Sequence, residues 1–161
     1  MSEPIRRPVG IVNARFGASV TVVEPANVYG CTIGDDTFVG PFTEIQKDVT
    51  IGKRCRIQSH AFICELVTIG DDCFIGHGVM FVNDRFATGG PARGRKELWQ
   101  PTVIGDRVSI GSNATIMPVN IASGTVIGAG AVVTECVPAY AVAAGVPARV
   151  LRLRPEFPPL A

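Results

Sequence analysis

An aliphatic or aromatic residue returns every six positions along nearly a third of this chain: Ile33, Val39, Ile45, Ile51, Ile57, Ile63, Ile69, Ile75 and Phe81. Neither an amphipathic helix, with its period of 3.6, nor an alternating strand, with its period of 2, holds that phase for so many steps. The residue two places earlier is small or β-branched throughout: Cys31, Thr37, Thr43, Val49, Cys55, Ala61, Val67, Cys73 and Val79. The residue after it is often glycine, as at Gly34, Gly40, Gly52, Gly70 and Gly76, and glycine suits a turn conformation. A three-sided coil accounts for all three columns. Each hexad makes one short strand and one turn, three hexads close a triangular rung, and rungs stack about 4.8 Å apart. The large residue fills the prism and the small one fits the corner beside it. Each buried aliphatic contributes about 1.5–3 kcal/mol, so the rows hold together without disulfides. The expected fold is therefore all-β, a left-handed parallel β-helix forming a single domain over 1–161.

The frame breaks at two places. Between Phe81 and Ile104 lies the polar, glycine-bearing stretch 83–101, NDRFATGGPARGRKELWQP, which does not divide into hexads. It is expected to protrude as a loop, and long loops in compact domains tend to carry function. The frame then runs through Ile104, Ile110 and Ile116, but the next inward residue is Ile121, so one residue is missing from the turn after Met117. Beyond Val133 the chain leaves the repeat in a short C-terminal extension, and the proline-bearing tail 154–161 is expected to lie extended.

Stacking places residues 18 apart above one another. Cys55 and Cys73 form such a pair, read as small corner residues. Glu65 lies one rung below Asn83, and Ser59 one rung below His77. On this reading Glu65, His77, Asn83 and Asp84 gather near the base of the loop.

The bulk numbers exclude several classes. A net charge of +1 gives no reason to expect nucleic acid or a membrane surface as partner. No window approaches the roughly 18 apolar residues of a membrane span, and residues 1–25 lack a signal-peptide core, so the expected location is cytoplasmic. The five cysteines make no CxxC pair and do not cluster with the two histidines, His60 and His77, so no metal is expected.

The repeats, together with the ending VIGAGAVVTECVPAYAVAAGVPARVL, resemble the hexapeptide-repeat acyltransferases. The stretch ending HGVMFVNDRF is similar to the branch that N-acetylates nucleotide-linked 3-amino sugars. The resemblance implies transfer of an acetyl group from acetyl-CoA to the amine of a UDP- or dTDP-linked amino sugar, for a surface polysaccharide precursor. It also implies a homotrimer with its sites between subunits. Asn83 matches the asparagine of the branch's N-D-[RK]-[FY] element and is expected to orient the amine. Asp84 or His77 is expected to accept its proton, unless water or the departing thiolate does so. Glu65, His60, Arg85, Arg93 and Lys96 are the expected substrate-binding residues, the basic ones suiting a diphosphate. Ser112, Ala129, Ala131, Gly145, Pro147 and Arg149 are expected to line the acetyl-CoA path. Plain turn roles for Asn83, Asp84 and His77, and packing roles for His60 and Trp99, stand beside these readings.

Three other readings remain open. A different small acceptor would make the chain another N- or O-acetyltransferase. A solenoid without catalysis would serve as a scaffold. A zinc-dependent carbonic anhydrase on the same coil needs three histidines, one more than this chain has.

Overall fold

A computed structural model describes residues 3–5 and 9–155. They form the left-handed parallel β-helix, with about seven turns. Strand n pairs in parallel with strand n+3, which makes three flat sheets, the faces of a prism. Face one carries Asn27–Tyr29, Glu44–Ile45, Phe62–Ile63, Met80–Phe81, Thr115–Ile116 and Val132–Val133. Face two carries Thr32–Ile33, Thr50–Ile51, Val67–Ile69, Thr102–Ile104 and Asn120–Ile121. Face three carries Phe38–Val39, Arg56–Ile57, Phe74–Ile75, Ser109–Ile110 and Val126–Ile127. The columns read from the sequence are the core: Ile33 through Phe81, then Ile104, Ile110, Ile116, Ile121, Ile127 and Val133, are all at most 1% exposed. The small residues two places earlier are buried beside them, Cys55 and Cys73 among them as free thiols whose Sγ atoms each lie 3.1 Å from a carbonyl, of Gly70 and Gly105 respectively.

The glycine column has a different cause from the one expected. Gly34, Gly52 and Gly70 do not adopt the left-handed conformation; a Cβ at Gly52 would sit 2.6 Å from the carbonyl carbon of Gly70 in the next rung. The glycine is required by how closely one rung lies on the next. The left-handed residue comes two places later and is mostly not glycine: Asp36, Arg54, Asp72 and Arg107 have φ of 54–57°.

The coil is also longer than the uninterrupted period. Ile11–Val12, Arg15–Phe16 and Thr21–Val22 form an earlier turn, with Phe16 beneath Ile33 and Val22 beneath Val39. From Val28 to Ile33 the step is five residues, not six, which shifts the phase and hides that first turn from a strict six-residue count. At the other end Ala141–Gly145 continues face three, with Ala143 in the inward slot at 1% exposure, before Ala148–Leu153 folds back antiparallel against it. Of the tail expected to be extended, 156–161 lie outside the described residues.

Irregular corners share one edge of the prism. The five-residue step at Val28–Ile33, the inserted loop and the five-residue step at Ile116–Ile121 all fall between faces one and two. Val67 and Thr102 are register partners 35 residues apart where 18 is the rule, an insertion of 17. The edge between faces two and three is regular and charged. There Lys53 pairs with Asp35 at 3.0 Å, and Arg54 donates two hydrogen bonds to the Asp72 carboxylate at 2.7 and 2.8 Å. Among the described residues no helix is long and apolar enough to cross a membrane.

Two predictions follow from the stacking. Gly52→Ala should destabilise by about 1–3 kcal/mol through overpacking, whereas Gly90→Ala, with open space around its Cβ position, should stay within about 0.5 kcal/mol of the parent; urea unfolding distinguishes the two. The Arg54 guanidinium holds Asp72 below the usual carboxylate range through its hydrogen bonds. A depressed folded pKa contributes stability that is present above the unfolded value of about 3.9 and is lost as pH falls through the folded one. Arg54→Gln should therefore flatten the fall of Tm below about pH 4.

Candidate active site

The loop leaves the coil after Phe81 and is held by four sets of contacts. Asp84 accepts hydrogen bonds from the backbone of Phe86 (Oδ1, 2.8 Å) and Ala92 (Oδ2, 2.7 Å), which closes the loop's first half on its own stem. Asp84 also bridges to Trp99, and the Gln100 amide donates to the Asn83 carbonyl at 2.8 Å, so the two stems run side by side. Arg85 donates to the carbonyl of Pro118, in the shortened corner one rung up. Lys96, at the start of a single 3₁₀ turn over Lys96–Leu98, reaches Glu65 Oε2 at 2.6 Å. The Glu65 side chain is 11% exposed and has Lys47, one rung below, at 3.9 Å. Its hydrogen bond holds Lys96 above the usual lysine range, so Lys96 stays charged at neutral pH.

Between loop and coil lies a cleft of about 400 Å³. Its apolar walls are Phe62, Phe81, Phe86 and Trp99, and its polar groups are Gln46, Glu65, Asn83 and Asp84. Asn83 stands on Glu65 as the 18-residue spacing requires. Its Nδ2 donates to the Glu65 carbonyl at 3.2 Å, which turns the amide and leaves Oδ1 without a hydrogen-bond partner among the described residues. Cys64 also lines the cleft, but burial pushes its thiol up to about 12, so it is a neutral wall. This is a small, mostly apolar hollow with a few fixed polar groups, the usual form of a small-molecule site.

The expected residues divide between two edges. Glu65, Asn83, Asp84, Arg85 and Lys96 come together on the loop edge. Asp84, expected as a proton acceptor, has both oxygens engaged in holding the loop, and Arg85 and Lys96, expected on a diphosphate, have partners in the protein. Arg93 lies near the loop tip, in a hollow of about 250 Å³ with Arg95. His77 does not join this cluster. Six residues before Asn83 means one face away, and it occupies the edge between faces three and one, with Nδ1 2.8 Å from Ser59 Oγ. His60 is on that edge too, its ring stacked on Phe42 with centroids 4.9 Å apart.

Ser112 and Ala129 fall on the same histidine edge, directly above His77: the Asn113 amide donates to the His77 carbonyl, and the Gly130 amide to that of Ser112. Ala131 was expected on the acetyl-CoA path, yet its side chain occupies the small corner position two places before Val133 and is fully buried, so only its backbone can face a ligand. Gly145 precedes the turn of the terminal hairpin and Pro147 lies in it, and Arg149 extends beyond it into solvent, 3.9 Å from Glu135. Among the described residues no cluster of three or more histidine, cysteine or acidic side chains could hold a metal. Sequence reasoning passed over Gln46, Lys47 and Phe62. The 18-residue spacing from Glu65 to Lys47 was the available signal.

With this geometry the comparisons with known proteins are unambiguous about class. A model of the bacterial transferase hexapeptide (six repeats) matches residues 30–65, and one of the hexapeptide repeat of succinyl-transferase matches 66–80 and 101–135. Together they span more than half of the chain and leave a gap at the inserted loop. The chain belongs to the hexapeptide-repeat transferase family. It is 33% identical over 153 residues to the bifunctional protein GlmU of Fervidobacterium nodosum, covering 84% of this chain and 31% of that one. It is 36% identical over 131 residues to galactoside O-acetyltransferase of Escherichia coli K12, covering 75% and 63%. The chain thus spans about a third of the length of the GlmU relative. Among solved structures, a variant of AntD, an N-acyltransferase from Bacillus cereus in complex with dTDP and coenzyme A, superposes with a TM-score of 0.73 at 21% identity, covering 88% and 84%.

Removing the Asp84 anchor tests this description of the loop. Asp84→Ala should expose the Phe86 and Ala92 amides, raising their hydrogen-exchange rates at least about tenfold for a loss of about 1.4 kcal/mol, while amides of Ile63 and Ile69 stay protected.

Proposed function

We propose that this protein is an acetyl-CoA-dependent N-acetyltransferase whose acceptor is the amine of a nucleotide-linked amino sugar. The observation that carries the reading is Asn83. Its Nδ2 is fixed on the coil and its Oδ1 is unengaged, at the mouth of an aromatic-walled cleft roofed by a basic loop. An amide oxygen held this way accepts a hydrogen bond from a neutral amine and aims the nitrogen lone pair at the thioester carbon. The C–N bond forms, the C–S bond breaks, and the amine's surplus proton passes to water or to the departing thiolate. The aromatic walls suit a sugar or nucleobase face. Arg93, without a hydrogen-bond partner among the described residues, suits the diphosphate.

Supporting the acetyl donor are the family, the small-residue column of Ser112 and Ala129, and the coenzyme A bound in the AntD complex. The N-acyl reading of AntD and its bound dTDP support a nucleotide-linked amine, though at 21% identity that likeness is one of fold. A homotrimer with sites between subunits fits the separation of the two edges, since a cleft between prisms can bring the loop edge of one subunit to the histidine edge of another. A second reading, O-acetylation of a sugar hydroxyl, is favoured by the 36% identity to galactoside O-acetyltransferase.

Release of free thiol from acetyl-CoA, followed with UDP- and dTDP-linked 3- and 4-amino sugars and with free galactosides, separates the two. Turnover on a nucleotide amino sugar, reduced about a hundredfold in kcat/KM by Asn83→Ala, is the expected result. Turnover confined to galactosides would replace it with O-acetylation, and failure to bind acetyl-CoA would leave a scaffold.

A further inference from the structure

The mechanism above leaves one ordered pair of polar side chains unused. His77 and Ser59 stack on the histidine edge, 18 residues apart, with Ser59 Oγ 2.8 Å from His77 Nδ1. His77 is exposed and lies between Gly76 and Gly78, so no neighbouring side chain in sequence crowds its ring. Ser59 is half-buried. Its hydroxyl makes no other hydrogen bond among the described residues.

That geometry bears on which nitrogen carries the proton. A neutral imidazole has one donor and one acceptor nitrogen, and the bond made by one decides what the other presents. If Nδ1 carried the proton and donated to Ser59, the serine's own proton would have no acceptor among the described protein groups. If the serine donates to Nδ1, the half-buried hydroxyl is satisfied and the proton sits on Nε2 of an exposed ring. The second arrangement leaves fewer polar groups unpaired.

Where Nε2 points matters because of the column it stands in. The rung above His77 on this edge carries Ser112 and the next carries Ala129. These small residues are the stretch along which the proposed donor would lie. Asn83 is on the other side of face one, against the acceptor cleft. His77 is therefore placed for the thioester side of the reaction and not for the amine.

We propose that Ser59 is a positioning residue that holds His77 as the Nε2–H tautomer, so that Nε2 donates a hydrogen bond to the thioester oxygen as negative charge develops there. The proposal rests on the acetyl-transfer reading above. His77 neither gains nor loses a proton in this role. The amine nitrogen bonds to the carbonyl carbon, the oxygen takes charge while Nε2–H donates to it, the charge returns as the C–S bond breaks, and the amine's surplus proton leaves to water or to the departing thiolate. A donor fixed before the charge appears is worth more than one that must reorient.

The tautomer can be read directly by long-range ¹H–¹⁵N correlation of the imidazole rings. Only two histidines are present, and the signals lost in His77→Asn are those of His77. The expected spectrum shows Nε2 protonated and Nδ1 bare in the parent, with the two forms mixed in Ser59→Ala. Turnover should change in step: Ser59→Ala lowers kcat about tenfold or more with KM for acetyl-CoA unchanged, and Ser59→Thr, which keeps the hydroxyl, restores it. A serine that merely stabilised the coil would lower Tm and leave kcat and the tautomer alone. A protonated Nδ1 in the parent, or an unchanged kcat in Ser59→Ala, overturns the proposal. The spectrum needs no turnover, so an inactive parent protein with the expected tautomer counts against the transferase reading while Ser59's hold on His77 stands.

Discussion

The close seating of one rung on the next governs this molecule. Ile33, Ile51, Ile69 and Ile104 form one inward column because each backbone turn lies within van der Waals reach of its neighbour, near enough that a Cβ at Gly34, Gly52 or Gly70 would collide with the next turn. That contact fixes register. A residue's outward neighbours are then set by counting, and a polar side chain on one rung meets the residue one turn along. The Asp71 carboxylate accepting from the Lys53 amide, Ser59 meeting His77 and Asn83 meeting Glu65 are instances of the same geometry.

Such regularity makes a stable rod but not a pocket. The cleft arises where regularity is given up, and all the irregular corners lie on one edge. The 17-residue insertion supplies a roof, and the five-residue step one rung later presents the Pro118 carbonyl that Arg85 uses to hold it. Asp84 and the Lys96–Glu65 pair complete the anchoring. Roughly half of the polar groups in the loop are thus spent on its own shape. The price is that fewer are left for a ligand, which narrows attention to Asn83, the aromatic walls and Arg93.

Much of the fold was legible because a period of six has one physical explanation. The core residues, the loop at 83–101 and the shortened turn after Met117 all follow from counting. The first turn was not legible, because the five-residue step from Val28 to Ile33 shifts the phase before a second repeat can confirm it. The role of the glycines was misread for a different reason: the collision that requires them is with a residue 18 or more positions away, which no local turn rule contains. In the site, the Glu65–Asn83 stack followed from spacing. The placement of His77 did not, because sharing a phase with Asn83 puts it at the equivalent point of a different corner. Ion pairs made by the loop, such as Lys96 to Glu65, depend on how 17 irregular residues fold, and no period governs those.

The proposed function divides labour between two edges, with the acceptor under the loop and the acetyl donor along the histidine edge. Hydrogen exchange with each ligand added separately tests it most directly. UDP or dTDP should slow exchange in 83–99 and leave 111–114 and 128–131 unchanged, while acetyl-CoA should do the reverse. Protection of the same segment by both ligands, or nucleotide protection confined to the histidine edge, would overturn that division.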